Sequence, residues 1–194
     1  AIMNGNASKS SADPPSGYIK VRDLATPLWI RLIVFLITFL MFFTVLYRLI
    51  RSPLGFLLAF ITFALLSFIN TRLHEKCHQV IFETLTGKPA IIRIRPITSS
   101  CRPTAPCSIP AYLAAQIFPL LTSAGLGVIT SVLYIFNAPP WIIFGFTLAT
   151  ISSFLGSSGD FYWAFKLRNF PNDCLVVDHG TWTEVYAPPN HKIK

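Results

Sequence analysis

The sequence predicts an all-α membrane protein: four transmembrane helices with a small β element at the cytoplasmic surface. Three observations predict it. Of 194 residues, 53% are hydrophobic and only 12% charged, with a mean hydropathy of +0.56, well outside the composition of a soluble domain. Four apolar stretches, near Leu28 to Ile50, Leu54 to Leu85, Ile109 to Phe136 and Trp141 to Phe165, reach or exceed the roughly 20 residues that cross a ~30 Å hydrocarbon core. Three of them open on a helix-start signal: Thr26-Pro27 and Ser52-Pro53 place an N-cap before a proline at the first helical position, and Ser108 with Pro110 does so more loosely.

Taken in order, residues 1–25 are rich in Ser, Asn and Gly around Pro14-Pro15 and carry too little apolar surface to order themselves, so they are expected to form a flexible tail. Residues 26–168 are the four-helix transmembrane domain. Its first apolar run is too long for a cleavable signal and lacks a small-residue site after it, so it is read as a span. The second helix is expected to stop near Thr86, because Gly87 suits a left-handed cap and Pro89 cannot continue the ladder. A polar connector, 87–108, follows on the cytoplasmic side. Within it Ile91-Ile92-Arg93-Ile94-Arg95 has strand character, as do Leu175-Val176-Val177 and Thr181 to Tyr186, which predicts a small structural strand pair at the membrane surface. Pro119 is expected to kink the third helix. Residues 169–194 form a cytoplasmic C-terminal segment.

The formal charge of +8 is not read as a nucleic-acid footprint. The basic residues flank apolar spans, where headgroups and topology account for them, so the expected partner is the lipid bilayer and no nucleic acid. With four alternating helices, one side carries Lys9, Lys20, Arg22, Arg31, Lys88, Arg93, Arg95, Arg102, Lys166, Arg168, Lys192 and Lys194, and the other only Arg48 and Arg51. Both termini of this multi-pass protein are therefore expected in the cytoplasm. Trp29, Tyr47, Trp141, Tyr162 and Trp163 fall at span ends, where amphipathic rings sit.

The chemistry concentrates at His74-Glu75-Lys76-Cys77-His78, an H-E-x-x-H signature near the end of the second helix. Positions i and i+4 share one helix face, so two imidazoles can grip one Zn²⁺ while the intervening glutamate serves as base. Ionisable residues in a span need a reason. Asp160 is another, set on one face of the last helix with Ser153 and Gly156, small residues that allow close helix approach. Leu54 to His74 and Trp141 to Asp160 each climb roughly 30 Å at 1.5 Å per residue, so all three side chains arrive at similar depth near the cytoplasmic boundary. The expected centre is thus Zn²⁺ held by His74, His78 and Asp160, with Glu75 as the catalytic proton carrier in peptide hydrolysis. Asn70, Arg72 and His179 are the candidates for stabilising developing negative charge.

Other polar residues read more plainly. Arg72, Lys76, Gln79 and Glu83 are expected as a solvated or headgroup-facing stripe. Cys101 and Cys107 are expected as free thiols on the cytoplasmic side, Cys77, on another face from the histidines, and Cys174 as filler, and Asp178 and His179 as turn residues or outer partners of the site.

The segment from Leu73 to His78 continuing to Thr86-Gly87-Lys88-Pro89, the kinked helix at Phe118-Pro119, Gly156-Ser157-Ser158-Gly159-Asp160, and the later Phe170-Pro171-Asn172-Asp173 and Val177-Asp178-His179 together resemble a family of integral-membrane zincin metallopeptidases, similar in layout to the site-2 proteases. The resemblance implies His74, His78 and Asp160 as zinc ligands, Glu75 as catalytic base, and an intramembrane protease acting on a membrane-protein substrate near the cytoplasmic face. Asp160 departs from the site-2 pattern, in which a glycine follows the aspartate; here Phe161 follows and Gly159 precedes it. Two other classes compete. A non-catalytic assembly subunit of a larger membrane complex would bind a partner subunit and show no dependence on Glu75. A metal transporter would need a second relay of intramembrane carboxylates, which the sequence lacks.

Overall fold

The structure is a computed structural model that describes residues 16–49, 52–94, 99–180 and 182–189. The chain runs β1 (Ile19–Ala25), α1 (Leu28–Leu49), α2 (Pro53–Thr86), β2 (Ala90–Ile94), β3 (Ser99–Pro103), β4 (Cys107–Ser108), α3 (Ile109–Ile117), α4 (Leu120–Ile135), α5 (Pro140–Gly156), α6 (Ser158–Leu167), β5 (Leu175–Asp178) and β6 (Trp182–Ala187). Helix boundaries follow local chemistry. Ser52 Oγ accepts from Gly55 N–H at 3.3 Å with Pro53 at the first helical position, and α2 ends where Gly87 takes φ 63° and returns its N–H to Glu83 O.

Three helical stretches are long and apolar enough to cross a membrane: Pro53–Thr86, Ile109–Ile135 and Pro140–Leu167. In α1 the apolar stretch found among the described residues, Leu28–Met41, is shorter, so three candidate spans stand among the described residues where four were predicted. The chain is a multi-pass membrane protein, and its outward side chains agree: Phe35, Leu54, Leu121 and Ile135 are each more than 60% exposed, as suits a surface solvated by lipid tails.

Two spans are interrupted. Pro119 separates α3 from α4, while Phe118 and Pro119 keep right-handed dihedrals (φ −57°, ψ −39° and φ −60°, ψ −18°), so the ladder breaks but the direction largely persists. Ser157, with ψ 2°, separates α5 from α6 where a single helix was expected. The ladder is bridged there by Ser157 N–H to Ser153 O and Phe161 N–H to Ser157 O, both 3.1 Å.

Helix α2 packs most extensively on α5. Gly145 makes this possible, since a Cβ there would stand 2.6 Å from Thr62 Cβ and 3.1 Å from Ala59 O. Hydroxyl and amide groups stitch the bundle: Asn70 Nδ2 donates to Ser153 Oγ at 2.6 Å, Ser153 Oγ meets Ser123 Oγ, and Thr130 meets Thr150 at 3.0 Å.

The β structure corrects the sequence reading in two ways. Ile19–Ala25, assigned to the flexible tail, is a strand paired antiparallel with β6, for example Ile19 opposite Ala187 and Leu24 opposite Thr183; residues 1–15 lie outside the described residues. It is the outer strand of a sheet ordered β1-β6-β5-β4, and its sequence alone could not name a partner so distant. Ile91–Ile94 pairs with the neighbouring β3, Arg93 opposite Ser100, and not with the C-terminal strands, because a short hairpin closes at less entropic cost than a distant pairing. The densest core lies where this sheet meets the ends of the helices, around Phe82, Ile109, Tyr112, Leu167, Val176 and Val185.

Candidate metal centre

On α2, the i,i+4 spacing brings His74 and His78 edge to face, ring centroids 4.8 Å apart at 76°, with their Nε2 atoms 3.1 Å from each other. Asp160 enters from the first turn of α6. Its Oδ2 lies 3.1 Å from His74 Nε2 and its Oδ1 3.7 Å from His78 Nε2. All three side chains are largely buried, 14%, 6% and 18% exposed.

Their geometry suits a cation. Zinc bonds of about 2.0–2.1 Å in a tetrahedron set neighbouring donor atoms roughly 3.3 Å apart; here the two Nε2 atoms are 3.1 Å apart, each lies 3.1 or 3.7 Å from a different oxygen of Asp160, and one ligand atom from each residue falls within 4.8 Å of the others. The donor set, two imidazole nitrogens and one carboxylate, is of the kind zinc takes in catalytic sites. Among the described residues it is the cluster of three such groups able to hold a metal ion.

Glu75 lies beside these ligands and is 7% exposed, and its Oε2 has no hydrogen-bond partner. The Cys101 thiol on β3 is pushed up to about 12, first by burial and then by the charges of Glu75, Asp178 and Glu83. His78 Nδ1 is likewise buried without a hydrogen bond. Phe82 stacks on the His78 ring at 6.4 Å and 17°, and Tyr112 packs on Phe82 at 5.6 Å, closing the inner wall.

The remaining candidates are engaged elsewhere. Asn70 spends its amide on Ser153, the Arg72 guanidinium lies over the Phe68 ring at 4.3 Å, and His179 stacks on Trp182 at 3.8 Å while pairing with Glu184 at 3.2 Å. The expected solvated stripe does more than face water. Lys76 Nζ donates to Gln79, whose Nε2 donates to Glu83 and to Ala90 O, while Glu83 accepts from Ala90 N–H at 3.1 Å. This fastens the β2–β3 hairpin to α2. Asp178 is no simple turn residue either. Its Oδ2 accepts from Tyr112 O–H and its Oδ1 from Gly180 N–H, both at 2.6 Å, and burial pushes its carboxyl up against the lowering effect of those bonds. Nothing in the sequence marked Tyr112 for this role, since an aromatic in an apolar helix carries no signal of a partner 66 residues away. The four cysteines, Cys77, Cys101, Cys107 and Cys174, carry free thiols.

Neither the curated proteins nor the solved structures contain a match to the chain. The family described as "Putative zincin peptidase" matches residues 67–175, more than half of the chain and the whole of the cluster just described, so this chain belongs to that zincin peptidase family and its cofactor is zinc.

Proposed function

We propose that the protein is an intramembrane zinc metalloprotease, similar in layout to the site-2 proteases, which hydrolyses a peptide bond of a membrane-embedded or juxtamembrane protein near the cytoplasmic face. The observation that carries this reading is the convergence of His74, His78 and Asp160, from two apolar helices, with one ligand atom of each within 4.8 Å of the others.

In this reading His74, His78 and Asp160 hold the metal. When bound, zinc supplies Lewis acidity, which brings the pKa of water from 15.7 to about 7 and polarises a carbonyl. Glu75 is the proton carrier. Its unpartnered, buried Oε2 leaves a lone pair free to take a proton from the attacking water and deliver it to the departing amine, as the C–N bond breaks and a C–O bond forms. A positioned base of this kind contributes roughly 10²–10⁴ in rate.

Topology supports a site near one membrane face. Pro53 to His74 and Pro140 to Asp160 each span about 30 Å of helix. Strands β1 and β6 are hydrogen-bonded neighbours, and an open sheet is excluded from hydrocarbon; an even number of crossings must then separate them. We therefore count α1 as a fourth crossing. The excess of Lys and Arg on the side of both termini supports a cytoplasmic position for that side. The 87–108 connector and the segment after Arg168 share it.

The test is purified protein assayed for zinc and for cleavage of a labelled membrane-spanning substrate in the same micelles. Wild type is expected to hold about one zinc per chain, and Glu75→Gln to keep zinc and fold while losing cleavage. Proteolysis that survives Glu75→Gln overturns the mechanism.

A further inference from the structure

We propose that Asn70 is a positioning residue for the metal site: its amide clamps α2 to Ser153 on α5, and the clamp sets where the turn at Ser157 delivers Asp160 to the two histidines. The inference rests on His74, His78 and Asp160 being the zinc ligands and adds what fixes the distance between the helices that carry them.

Asn70 stands one turn before His74 on the same face of α2. It is 8% exposed, while its neighbours Phe68 and Ile69 are 56% and 51% exposed, so the amide points into the bundle where the adjoining side chains point to lipid. Its Nδ2 donates to Ser153 Oγ at 2.6 Å. The same hydroxyl meets the Oγ of Ser123, fully buried on α4. The Ser153 carbonyl in turn accepts the N–H of Ser157 at 3.1 Å and its Oγ–H at 3.0 Å. Ser153 is thus a junction that joins α2 and α4 to the segment leading to Asp160.

That segment needs fixing. Ser157, fully buried with ψ 2°, turns the chain between α5 and α6, and Asp160 follows in the first turn of α6. Two rungs join the same two stretches of chain, Asn70 to Ser153 at 2.6 Å and His74 to Asp160 at 3.1 Å. On α2 the rungs are separated by one turn of unbroken helix. On the other stretch the chain turns between them, so the place of the carboxylate depends on how firmly Ser153 is held. In lipid, helices are drawn together by packing and interhelical hydrogen bonds and not by the hydrophobic effect, and an amide left unpaired there is costly. A rung in place before the cation arrives spares the cation from drawing α6 towards α2, which is preorganisation.

A simpler reading makes this bond one more stitch of the bundle. The two separate when zinc affinity of the full chain in micelles, measured by competition with a chromophoric chelator, is set beside stability. Ser153→Ala, which loses one hydroxyl, and Asn70→Leu, which keeps the volume, are each expected to weaken zinc binding about 3- to 20-fold, the spread that single interhelical hydrogen bonds are worth in membranes. The double variant is expected to bind zinc as Ser153→Ala does, because both changes remove the same bond. Thr150→Val removes a hydroxyl contact of the same kind, Thr130 to Thr150 at 3.0 Å between α4 and α5, and is expected to lower stability while zinc affinity stays within about twofold of wild type. Wild-type affinity in Ser153→Ala, losses that multiply in the double variant, or an equal loss in Thr150→Val overturns the proposal. Should Asn70→Leu not fold, Co²⁺ in place of zinc decides, since its visible band reports the geometry of its ligands: the band is expected to shift in Ser153→Ala and to match wild type in Thr150→Val, and an unshifted band in Ser153→Ala overturns the proposal.

Asp160→Ala keeps the two layers distinct. Unchanged zinc affinity there means that Asp160 is not a ligand and the metal-site reading itself fails. Lost affinity in Asp160→Ala together with wild-type affinity in Ser153→Ala removes only the role of Asn70.

Discussion

Replacing Gly145 with alanine tests whether the close approach of α5 to α2 sets the geometry of the metal centre. The new methyl carbon would stand 2.6 Å from Thr62 Cβ, 2.7 Å from Thr62 Cγ2 and 3.1 Å from the Ala59 carbonyl. Carbon atoms in good contact sit about 3.5–4.0 Å apart, so the helices must part by roughly 1 Å. Thr62 has little freedom to yield, because its Oγ1 is held by Leu58 O at 2.9 Å and the Ala59 atom is backbone. Overpacking of this kind costs about 1–3 kcal/mol. The strain would also reach the site, since α5 leads through Ser157 into the turn that carries Asp160. A shift of about 1 Å in catalytic geometry can cost on the order of 10²-fold in rate. Unfolding in mixed detergent micelles, followed by tryptophan fluorescence, should show the loss of stability, and metal analysis should show weaker zinc retention. Thr62→Gly opens the space the methyl needs, at roughly 0.3–0.5 kcal/mol in helix propensity, so the pair should recover more than the sum of the single changes predicts. Stability of Gly145→Ala within about 0.5 kcal/mol of wild type, or simple additivity with Thr62→Gly, would refute the reasoning.

Further outcomes follow from the inner wall and the sheet. Tyr112→Phe leaves Asp178 Oδ2 without its donor and should destabilise the fold by about 1–3 kcal/mol, the cost of a buried group left unsatisfied; a change below about 0.5 kcal/mol in denaturant titration would contradict the assignment. The same carboxyl gives a pH signature. Burial raises Asp178 in the folded state, so the native protein binds that proton more tightly than the unfolded chain. Its contribution is fully present below the unfolded value near 3.9 and is lost as pH rises through the folded value. Asp178→Asn should remove that part of the slope, read by unfolding at a series of pH values. Cys101 and Cys107, with thiols pushed up to about 12 by burial, should react with a maleimide about a thousandfold more slowly than an ordinary thiol at pH 8 until the protein unfolds, as mass spectrometry of labelled peptides can follow.

Features that depend on a few adjacent residues were legible in the sequence. Ser52 and Pro53 do cap α2, and Gly87 does adopt the left-handed turn, because capping is settled within one turn of chain. The matching climb from Leu54 to His74 and from Trp141 to Asp160 is arithmetic on helix rise, and the three side chains do meet. What was not legible depends on distant partners. The residues Ile19 to Ala25 alternate poorly and gain strand form only from β6. The pairing of Ile91–Ile94 with Ser99–Pro103 was hidden by the weak strand character of Ser-Ser-Cys-Arg-Pro. Lys76, Gln79 and Glu83 looked like a hydrated stripe because helical spacing shows which residues share a face, not that Ala90 N–H and O will come to them.

The union of the first strand with the last has a consequence for biogenesis. Lys20 and Glu184, ion-paired across β1 and β6, stand 164 positions apart, so all of the apolar helices are synthesised before the first strand can find its mate. Every hydrophobic segment must be inserted first, and contacts of such long range form slowly. The sheet is therefore the last part of the molecule to close, and truncation anywhere upstream of β6 leaves the first strand with an open edge, the kind of surface that quality-control proteases and aggregation both exploit.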